Sequence, residues 1–240
     1  MRPSTDSLPL TLRHALARAE CVILDFDGPI CRLFAGLAAP GIAAELQLLA
    51  EKHGQALPEL EGNPDPLAVL RGYAWALGPC ALVDEQRELL DTREVEAAQG
   101  AEPTPGAAEF MKLWHETGRP LAIASNNCAP AIRSYLLRES LSGLVEEPLI
   151  VGRYQDVARM KPDPASLLQV LDTAGVAPEH GLMIGDALTD LQAARAVGAT
   201  FVGYHRKPSK RGLLAEAGAD FVVDGVEELA AAVSENGPLP

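Results

Sequence analysis

Cysteine and histidine are scarce in this chain, and their placement matches neither a disulfide framework nor a metal centre. The four cysteines, none of which forms a Cys-x-x-Cys pair, are Cys21, Cys31, Cys80 and Cys128. The five histidines are scattered, without the spacing of metal ligands. We therefore expect reduced thiols, and we expect no zinc site or histidine-based site.

Long apolar runs and an excess of positive charge are also absent. No apolar stretch approaches the roughly 20 residues of a membrane span, and residues 1–10 lack the apolar core of a signal peptide. The 33 acidic residues outnumber the 20 basic ones, and the net charge of -13 disfavours nucleic acid and anionic membranes as partners. We expect a cytoplasmic protein in which any anionic ligand needs a local metal ion or lysine. The sequence leaves the oligomeric state open.

A short apolar run, Cys21–Leu24, ends abruptly in two carboxylates and a glycine, Asp25-Phe26-Asp27-Gly28. A run of this length predicts one buried parallel strand. The carboxyl end of such a strand is where open α/β sheets bind their ligands. Two acids this close repel each other unless a cation or a shared proton compensates. The sequence therefore indicates a candidate site at this strand end.

Between residues 33 and 100 the chain is rich in Ala, Leu and Glu and has few β-branched residues. This composition predicts helices throughout. Three are expected, at 42–52, 65–77 and 84–98, with Asp65 and Asp84 as the caps of the second and third. We therefore expect a helical domain, 33–100, inserted into a core domain made of residues 1–32 and 101–240.

Outside this block, strands alternate with helices, which is typical of a parallel sheet with right-handed crossovers. A short helix is expected at 10–19, and Thr104-Pro105-Gly106 is predicted to begin another. Besides the first strand, strands are expected at 121–124, 149–151, 182–184, 200–204 and 221–223. The expected fold class is α/β: a Rossmann-like parallel sheet flanked by helices, with the helical block inserted after the first strand.

Polar residues follow three of the predicted strands or stand at a helix start between them. They are Asp25 and Asp27, Ser125 and Asn126, Lys161, and Asp186 and Asp190. Because the carboxyl ends of parallel strands share one edge of the sheet, these residues can converge. Carboxylate oxygens suit Mg²⁺, whereas a hydroxyl, a backbone amide and a lysine hold phosphate oxygens. The pattern predicts a phosphoryl-transfer site.

Four short motifs in this order resemble those of the haloacid dehalogenase superfamily. They are Asp25-Phe26-Asp27-Gly28, Ser125-Asn126, Lys161-Pro162 and Gly185-Asp186-Ala187-Leu188-Thr189-Asp190. The resemblance spans nearly the whole chain except the helical block, which falls where type I members carry a helical cap. It implies an Mg²⁺-dependent phosphatase that hydrolyses a small phosphorylated metabolite through an aspartyl phosphate.

The resemblance also implies catalytic roles. Asp25 would be the nucleophile that attacks phosphorus. Asp27 would protonate the leaving oxygen and then activate water. Ser125 and the backbone amide of Asn126 would hold the phosphoryl oxygens. Lys161 would neutralise both the nucleophile and the phosphoryl group.

For the metal, the resemblance implies Asp25, the backbone carbonyl of Asp27, and Asp186 as ligands, with Asp190 either a ligand or an acid behind them. An acid at Asp27 argues against a dehalogenase or a phosphonatase. A phosphomutase stays open because that chemistry uses the same acid. A regulatory or binding protein without turnover also stays open, although the intact motifs disfavour it.

The chain departs from the family pattern directly after the first motif. Pro29, Cys31 and Arg32 stand where other residues are commoner, so the resemblance does not identify the substrate. If the substrate carries a second anion, Arg32, Lys52 and Arg71 are candidate contacts, and each is more often a surface charge.

Overall fold

The computed structural model describes residues 11–234, and its centre is a six-stranded parallel sheet. In chain order the strands are β1 (Cys21–Leu24), β2 (Cys31–Arg32), β3 (Glu102–Pro103), β4 (Leu121–Ala124), β5 (Ile150–Val151), β6 (Gly181–Gly185), β7 (Thr200–Tyr204) and β8 (Phe221–Val223). The parallel sheet has the order β5-β4-β1-β6-β7-β8, while β2 and β3 pair with each other. The predicted α/β fold class is confirmed.

Helices cover the sheet and form the inserted block. In chain order they are α1 (Leu12–Arg18), α2 (Ala39–Lys52), α3 (Pro66–Leu77), α4 (Ala81–Gly100), α5 (Ala107–Glu116), α6 (Ala129–Arg138), α7 (Ala165–Ala174), α8 (Leu188–Val197), α9 (Pro208–Glu216) and α10 (Val226–Ser234). Within residues 11–234, none of the helices combines the length and the apolar character that crossing a membrane requires.

The central position of β1 explains why the candidate site forms there. All four residues of β1 are buried, as expected for a strand with both faces covered. Ile23 pairs in register with Ala122 on β4 and with Met183 on β6. The residues that follow β1, β4 and β6 therefore emerge side by side at one edge of the sheet.

The inserted helices α2, α3 and α4 bury an apolar cluster of their own, which includes Leu46, Leu70 and Leu90. This cluster also takes in Val157 and Met160, from the segment that leads to Lys161. The far end of α4 packs differently, because Ala97 and Ala98 belong to the main core. The helical block thus packs against the segment that leads to Lys161, while the end of α4 packs into the core around the sheet.

Several predicted boundaries differ from the structure. Asp84 is not a cap: α4 begins at Ala81, and the amide of Asp84 donates to the carbonyl of Cys80 within the first turn. Helix α2 begins at Ala39, with a proline in its first turn. Asp65 does cap α3, since its side chain accepts from the amide of Leu67. The helix predicted at 10–19 forms over Leu12–Arg18, and residue 10 lies outside the described residues.

Candidate active site

The carboxylate of Asp25 lies at the middle of the sheet edge and is nearly buried. The residue is 8 % exposed, and its backbone amide donates to the carbonyl of Ile184 at 2.9 Å. This hydrogen bond continues the β1–β6 ladder by one residue, so the two strands fix where the Asp25 side chain begins. An acid held this way has little freedom to move, which suits a group that must meet a substrate in one orientation.

Lys161 supplies the positive charge beside Asp25. Its side chain is 1 % exposed, and Nζ lies 3.0 Å from Oδ1 of Asp25 and 2.6 Å from Oδ1 of Asp190. Nζ also donates to the carbonyl of Ala124 at 2.8 Å. Burial by itself would lower the pKa of Lys161, but the charges of Asp190 and Asp25 raise it above its usual value. The lysine therefore carries a fixed positive charge at a buried position.

Asp190 is fully engaged by the protein itself. Oδ1 pairs with Lys161, while Oδ2 accepts from the amides of Asp186 and Ala187, each at 3.1 Å. The residue stands in the first turn of α8, where a carboxylate satisfies free helix amides. Burial raises its pKa to about 6, although Lys161 opposes that shift. This carboxylate thus orients the lysine and the turn after β6.

Asp186 is less well compensated, because the charge of Lys161 only partly opposes the rise in its pKa. Burial, followed by the charges of Asp190, Asp25 and Asp27, raises its pKa well above the usual value. Among residues 11–234, no hydrogen bond or ion pair to its carboxylate oxygens is found. Ligand oxygens of Asp25, Asp186 and Asp190 all lie within 4.8 Å of one another. Three converging acids share one lysine, so the cluster can accept a further cation.

Asp27 points towards the start of the helical block. Its Oδ1 accepts from the amide of Leu33 at 2.9 Å. Although the residue keeps some contact with solvent, burial of the carboxyl group raises its pKa to about 7. The bond from Leu33 lowers the pKa and the charge of Asp25 raises it. A carboxyl group that gains and loses a proton near neutrality is suited to acid–base work.

Gly28 allows the loop after β1 to pass close to Asp186. Its φ is +121°, and a Cβ placed there would lie 2.7 Å from Cγ of Asp186. Thr104 holds the same loop from outside: its hydroxyl donates to the carbonyl of Gly28 at 2.6 Å and its amide donates to that of Ile30 at 3.0 Å. Thr104 therefore holds the loop after β1 in place. Of the predicted helix start Thr104-Pro105-Gly106, Gly106 is the residue directly before α5.

The loop after β4 carries Ser125 and Asn126. Ser125 is buried, and its hydroxyl donates to Oδ1 of Asn127 at 3.1 Å while accepting from the Asn127 amide at 3.2 Å. The Asn126 side chain binds the backbone of Lys161 on both sides, at 2.7 Å to its amide and 3.0 Å to its carbonyl. The loop and the lysine are thus joined through Asn126, so the structure brings the predicted site residues together.

The three cations named as candidate contacts lie in different surroundings. Arg71, on α3, reaches the carbonyl of Lys161 with Nη1 at 3.5 Å. Arg32 is exposed and pairs with Glu102 at 2.9 Å. Lys52 is exposed at the end of α2. Of these three, only Arg71 is observed against a residue of the candidate site.

Comparison with known proteins places the chain in a family. The haloacid dehalogenase-like hydrolase family matches residues 19–198. A phosphoglycolate phosphatase from Rhodospirillum rubrum is 31 % identical over 202 residues, covering 79 % of this chain and 82 % of that protein. A phosphoglycolate phosphatase from Pseudomonas savastanoi pv. phaseolicola is 30 % identical, and the match covers 88 % of this chain and 78 % of that protein. The chain belongs to the haloacid dehalogenase-like hydrolase family.

Solved structures agree on the fold. A family hydrolase from Deinococcus radiodurans, crystallised with phosphate and sodium, is 27 % identical with a TM-score of 0.61, covering 93 % of this chain and 98 % of that one. A subfamily IA hydrolase from Geobacter sulfurreducens has a TM-score of 0.57 at 21 % identity, and the match covers 90 % of this chain and 97 % of that one.

Sequence reasoning missed several residues that support the site. Thr104 stood out only as part of a helix start, and Asn127 only as part of a polar loop. Arg153 carried no signal, because it belongs to no motif and its contact with Glu94 joins the helical block to the loop after β5. A charged residue on the apolar face of α4 was the one available hint for Glu94.

Proposed function

We propose that this hydrolase is an Mg²⁺-dependent phosphatase that cleaves a small phosphate monoester through an aspartyl phosphate on Asp25. The observation that carries the proposal is the buried pair of Lys161 and Asp25, set beside a further acid, Asp186, whose pKa is raised well above its usual value by burial and by the neighbouring acids. A nucleophilic carboxylate needs a neighbouring cation before it can approach an anionic phosphoryl group. Lys161 meets that need, and the acids leave room for a metal ion.

The residues present fit Mg²⁺. The available donors are carboxylate and carbonyl oxygens, which this hard cation prefers, and the raised pKa of Asp186 is consistent with an acid cluster short of positive charge. Asp25, the carbonyl of Asp27 and Asp186 would hold the ion. When bound, it would add positive charge beside the transferring phosphoryl group. Asp190 would not bind the ion directly, since both of its carboxylate oxygens already have partners, Lys161 and the Asp186 amide. It would instead orient these two neighbours.

In the first step, a carboxylate oxygen of Asp25 attacks phosphorus, and the bond from phosphorus to the ester oxygen breaks. Asp27 gives its proton to that departing oxygen, so the leaving group departs as a neutral alcohol. The pKa of about 7 supports this role, since a sizeable fraction of Asp27 is protonated near neutrality. Lys161 stays charged throughout and offsets the negative charge of the phosphoryl group.

In the second step, Asp27, now a carboxylate, removes a proton from water. The resulting oxygen attacks phosphorus, the bond to Asp25 breaks, and inorganic phosphate leaves with the original enzyme restored. Ser125 would exchange its hydrogen bond to Asn127 for one to a phosphoryl oxygen. Asn126 would contribute its backbone amide, because its side chain is committed to Lys161.

The helical block, 33–100, would serve as the cap that covers the phosphate and selects the leaving group. Its packing against the segment before Lys161 supports this, as does the reach of Arg71 to the Lys161 carbonyl. The relatives are named for phosphoglycolate, which carries a carboxylate besides its phosphate. We therefore propose a substrate of this class, a small phosphorylated acid whose second anion faces Arg71.

A panel of phosphorylated metabolites, assayed for phosphate release with and without Mg²⁺, tests the proposal. We expect Mg²⁺-dependent release that is fastest with small phosphorylated acids, together with slower release from an aryl phosphate. Turnover that survives a chelator at full rate would contradict the metal assignment. An isomerised phosphate ester instead of free phosphate would identify a phosphomutase.

A further inference from the structure

A buried ion pair outside the catalytic motifs holds the loop that follows β4. Glu94, on α4, is fully buried, and its carboxylate faces the guanidinium of Arg153, which is 1 % exposed. Nη1 of Arg153 lies 3.0 Å from Oε1 of Glu94, and Nη2 lies 2.8 Å from Oε2. Two parallel hydrogen bonds of this kind fix the orientation as well as the distance.

Both members of the pair also form hydrogen bonds with the loop that follows β4. Glu94 accepts from Nδ2 of Asn127 at 2.9 Å and from the amide of Cys128 at 2.7 Å. Nη1 of Arg153 donates to the carbonyl of Asn126 at 2.8 Å. The backbone amide of Arg153 donates to the carbonyl of Asn127, also at 2.8 Å. The backbone on either side of Asn127 is therefore fixed by one buried pair.

The positive charge of Arg153 accounts for the acids around it. Ligand atoms of Asp91, Glu94 and Cys128 lie within 4.8 Å of one another, as they would around a metal ion. Burial alone would lower the pKa of Arg153, but Glu94 and Asp91 raise it, so the guanidinium stays charged. Arg153, together with Arg87, whose Nη1 lies 3.3 Å from Oδ2 of Asp91, already supplies the positive charge that a metal ion would bring to this cluster.

We propose that Glu94 and Arg153 are positioning residues for the phosphate-binding loop, and this inference rests on the proposed function. They set the direction of the Ser125 hydroxyl and of the Asn126 backbone amide. The acids that would hold the metal ion directly follow β1 and β6, whereas the pair contacts the loop that follows β4. The pair therefore determines the affinity for phosphate and does not affect the affinity for Mg²⁺.

The experiment compares the wild type with Glu94→Gln, Glu94→Asp and a control, Glu96→Gln, an exposed glutamate on the same helix. Inorganic phosphate is titrated by calorimetry at saturating Mg²⁺, and Mg²⁺ is titrated separately. For Glu94→Gln we expect phosphate affinity to fall by roughly 10- to 100-fold, because small displacements of binding groups cost this much. Mg²⁺ affinity should stay at the wild-type value, and Glu96→Gln should match the wild type in both titrations.

Glu94→Asp decides the question if Glu94→Gln does not fold. It keeps the charge that Arg153 requires, but the shorter side chain cannot reach both Asn127 and Cys128. We expect a folded protein whose phosphate affinity falls by about three- to tenfold, because the loop keeps the support of Arg153 and loses about one hydrogen bond. Melting curves of all variants show that each titration is made on folded protein.

Two results would overturn the inference. One is wild-type phosphate affinity in a folded Glu94→Gln protein or, if that variant does not fold, in Glu94→Asp. The other is a parallel loss of phosphate and Mg²⁺ affinity, which would indicate general loosening. Failure of the wild type to release phosphate from any ester would instead remove the proposed function, and the inference with it.

Discussion

At the residue scale, the proposed phosphatase reaction depends first on Asp25. Asp25→Asn keeps the shape of the side chain but removes the nucleophilic charge that lies 3.0 Å from Lys161. We expect phosphate release to fall by more than about 10³-fold, since removal of a nucleophile has effects of this size or larger. The measurement is steady-state phosphate release, with Asp172→Asn, an exposed aspartate on α7, as the control. Substantial activity in Asp25→Asn would remove Asp25 from this role.

Gly28 is the second residue whose change has a definite expected result. Gly28→Ala forces a Cβ to within 2.7 Å of Asp186 Cγ at a φ of +121°, so the loop or Asp186 must move. We expect stability to fall by about 1–3 kcal/mol, together with weaker Mg²⁺ binding. Thermal unfolding and an Mg²⁺ titration check this.

Gly143→Ala is the matched control, because Gly143 has open space around it and no positive φ. It should leave both stability and Mg²⁺ binding close to the wild type. If Gly28→Ala behaved the same way, the close approach of the loop to Asp186 would have no functional consequence.

Sequence could predict the motif residues because each follows a strand or begins a helix, where chemistry and position coincide. It could not predict their partners. Whether Asp190 binds a metal or pairs with Lys161 depends on how the loop before α7 folds back onto β1, and no local pattern encodes that geometry. The same holds for Glu94, whose contacts lie on another element far along the chain.

At the scale of elements, the helical block is the part that would select the substrate. Arg71→Ala removes the one candidate cation seen next to Lys161. We expect KM for phosphoglycolate to rise about tenfold, the effect of one lost contact to a charged group, while aryl phosphate turnover changes little. Lys52→Ala, on α2 and exposed, should leave both substrates unaffected. An equal loss with both substrates would mean that Arg71 supports Lys161 and does not recognise the second anion.

The elements themselves were predictable where the apolar pattern was strong. The strands at 121–124, 200–204 and 221–223 form at the predicted bounds because their residues are apolar and flanked by turns. Strands β2 and β3 were missed, since two-residue strands carry no periodicity. The early start of α4 was missed because Asp84 looked like a cap, although the helix gains a further turn from Ala81 onwards.

At the scale of the whole molecule, burial should protect most of the thiols. Cys21, Cys31 and Cys128 are buried, and burial raises the pKa of all three thiols, that of Cys21 to about 12. Cys80 alone is partly exposed. We expect a thiol reagent to modify one cysteine in the native protein and all four after unfolding. Rapid modification of more than one in the native state would show that the core opens readily.

The net charge of -13 makes the local cations decisive for an anionic substrate. In the described part of the chain, one buried lysine and the proposed Mg²⁺ stand against four acids at the edge of the sheet. Composition predicted the need for such cations, but not their arrangement, which depends on three strands from distant parts of the sequence meeting at one edge. The division into a core and a cap at residues 33 and 100 stays a prediction.

The proposed aspartyl phosphate is tested most directly by trapping the phosphoryl group on the enzyme. Asp27→Asn lacks the proposed general base, so an aryl phosphate with a good leaving group should still phosphorylate Asp25 while hydrolysis slows by on the order of 10²–10⁴-fold. After acid quenching, peptide mass spectrometry should find one added phosphoryl group, on the peptide and at the residue Asp25, only when Mg²⁺ is present. A phosphoryl group on any other residue, or burst-free turnover at the wild-type rate, would contradict the account.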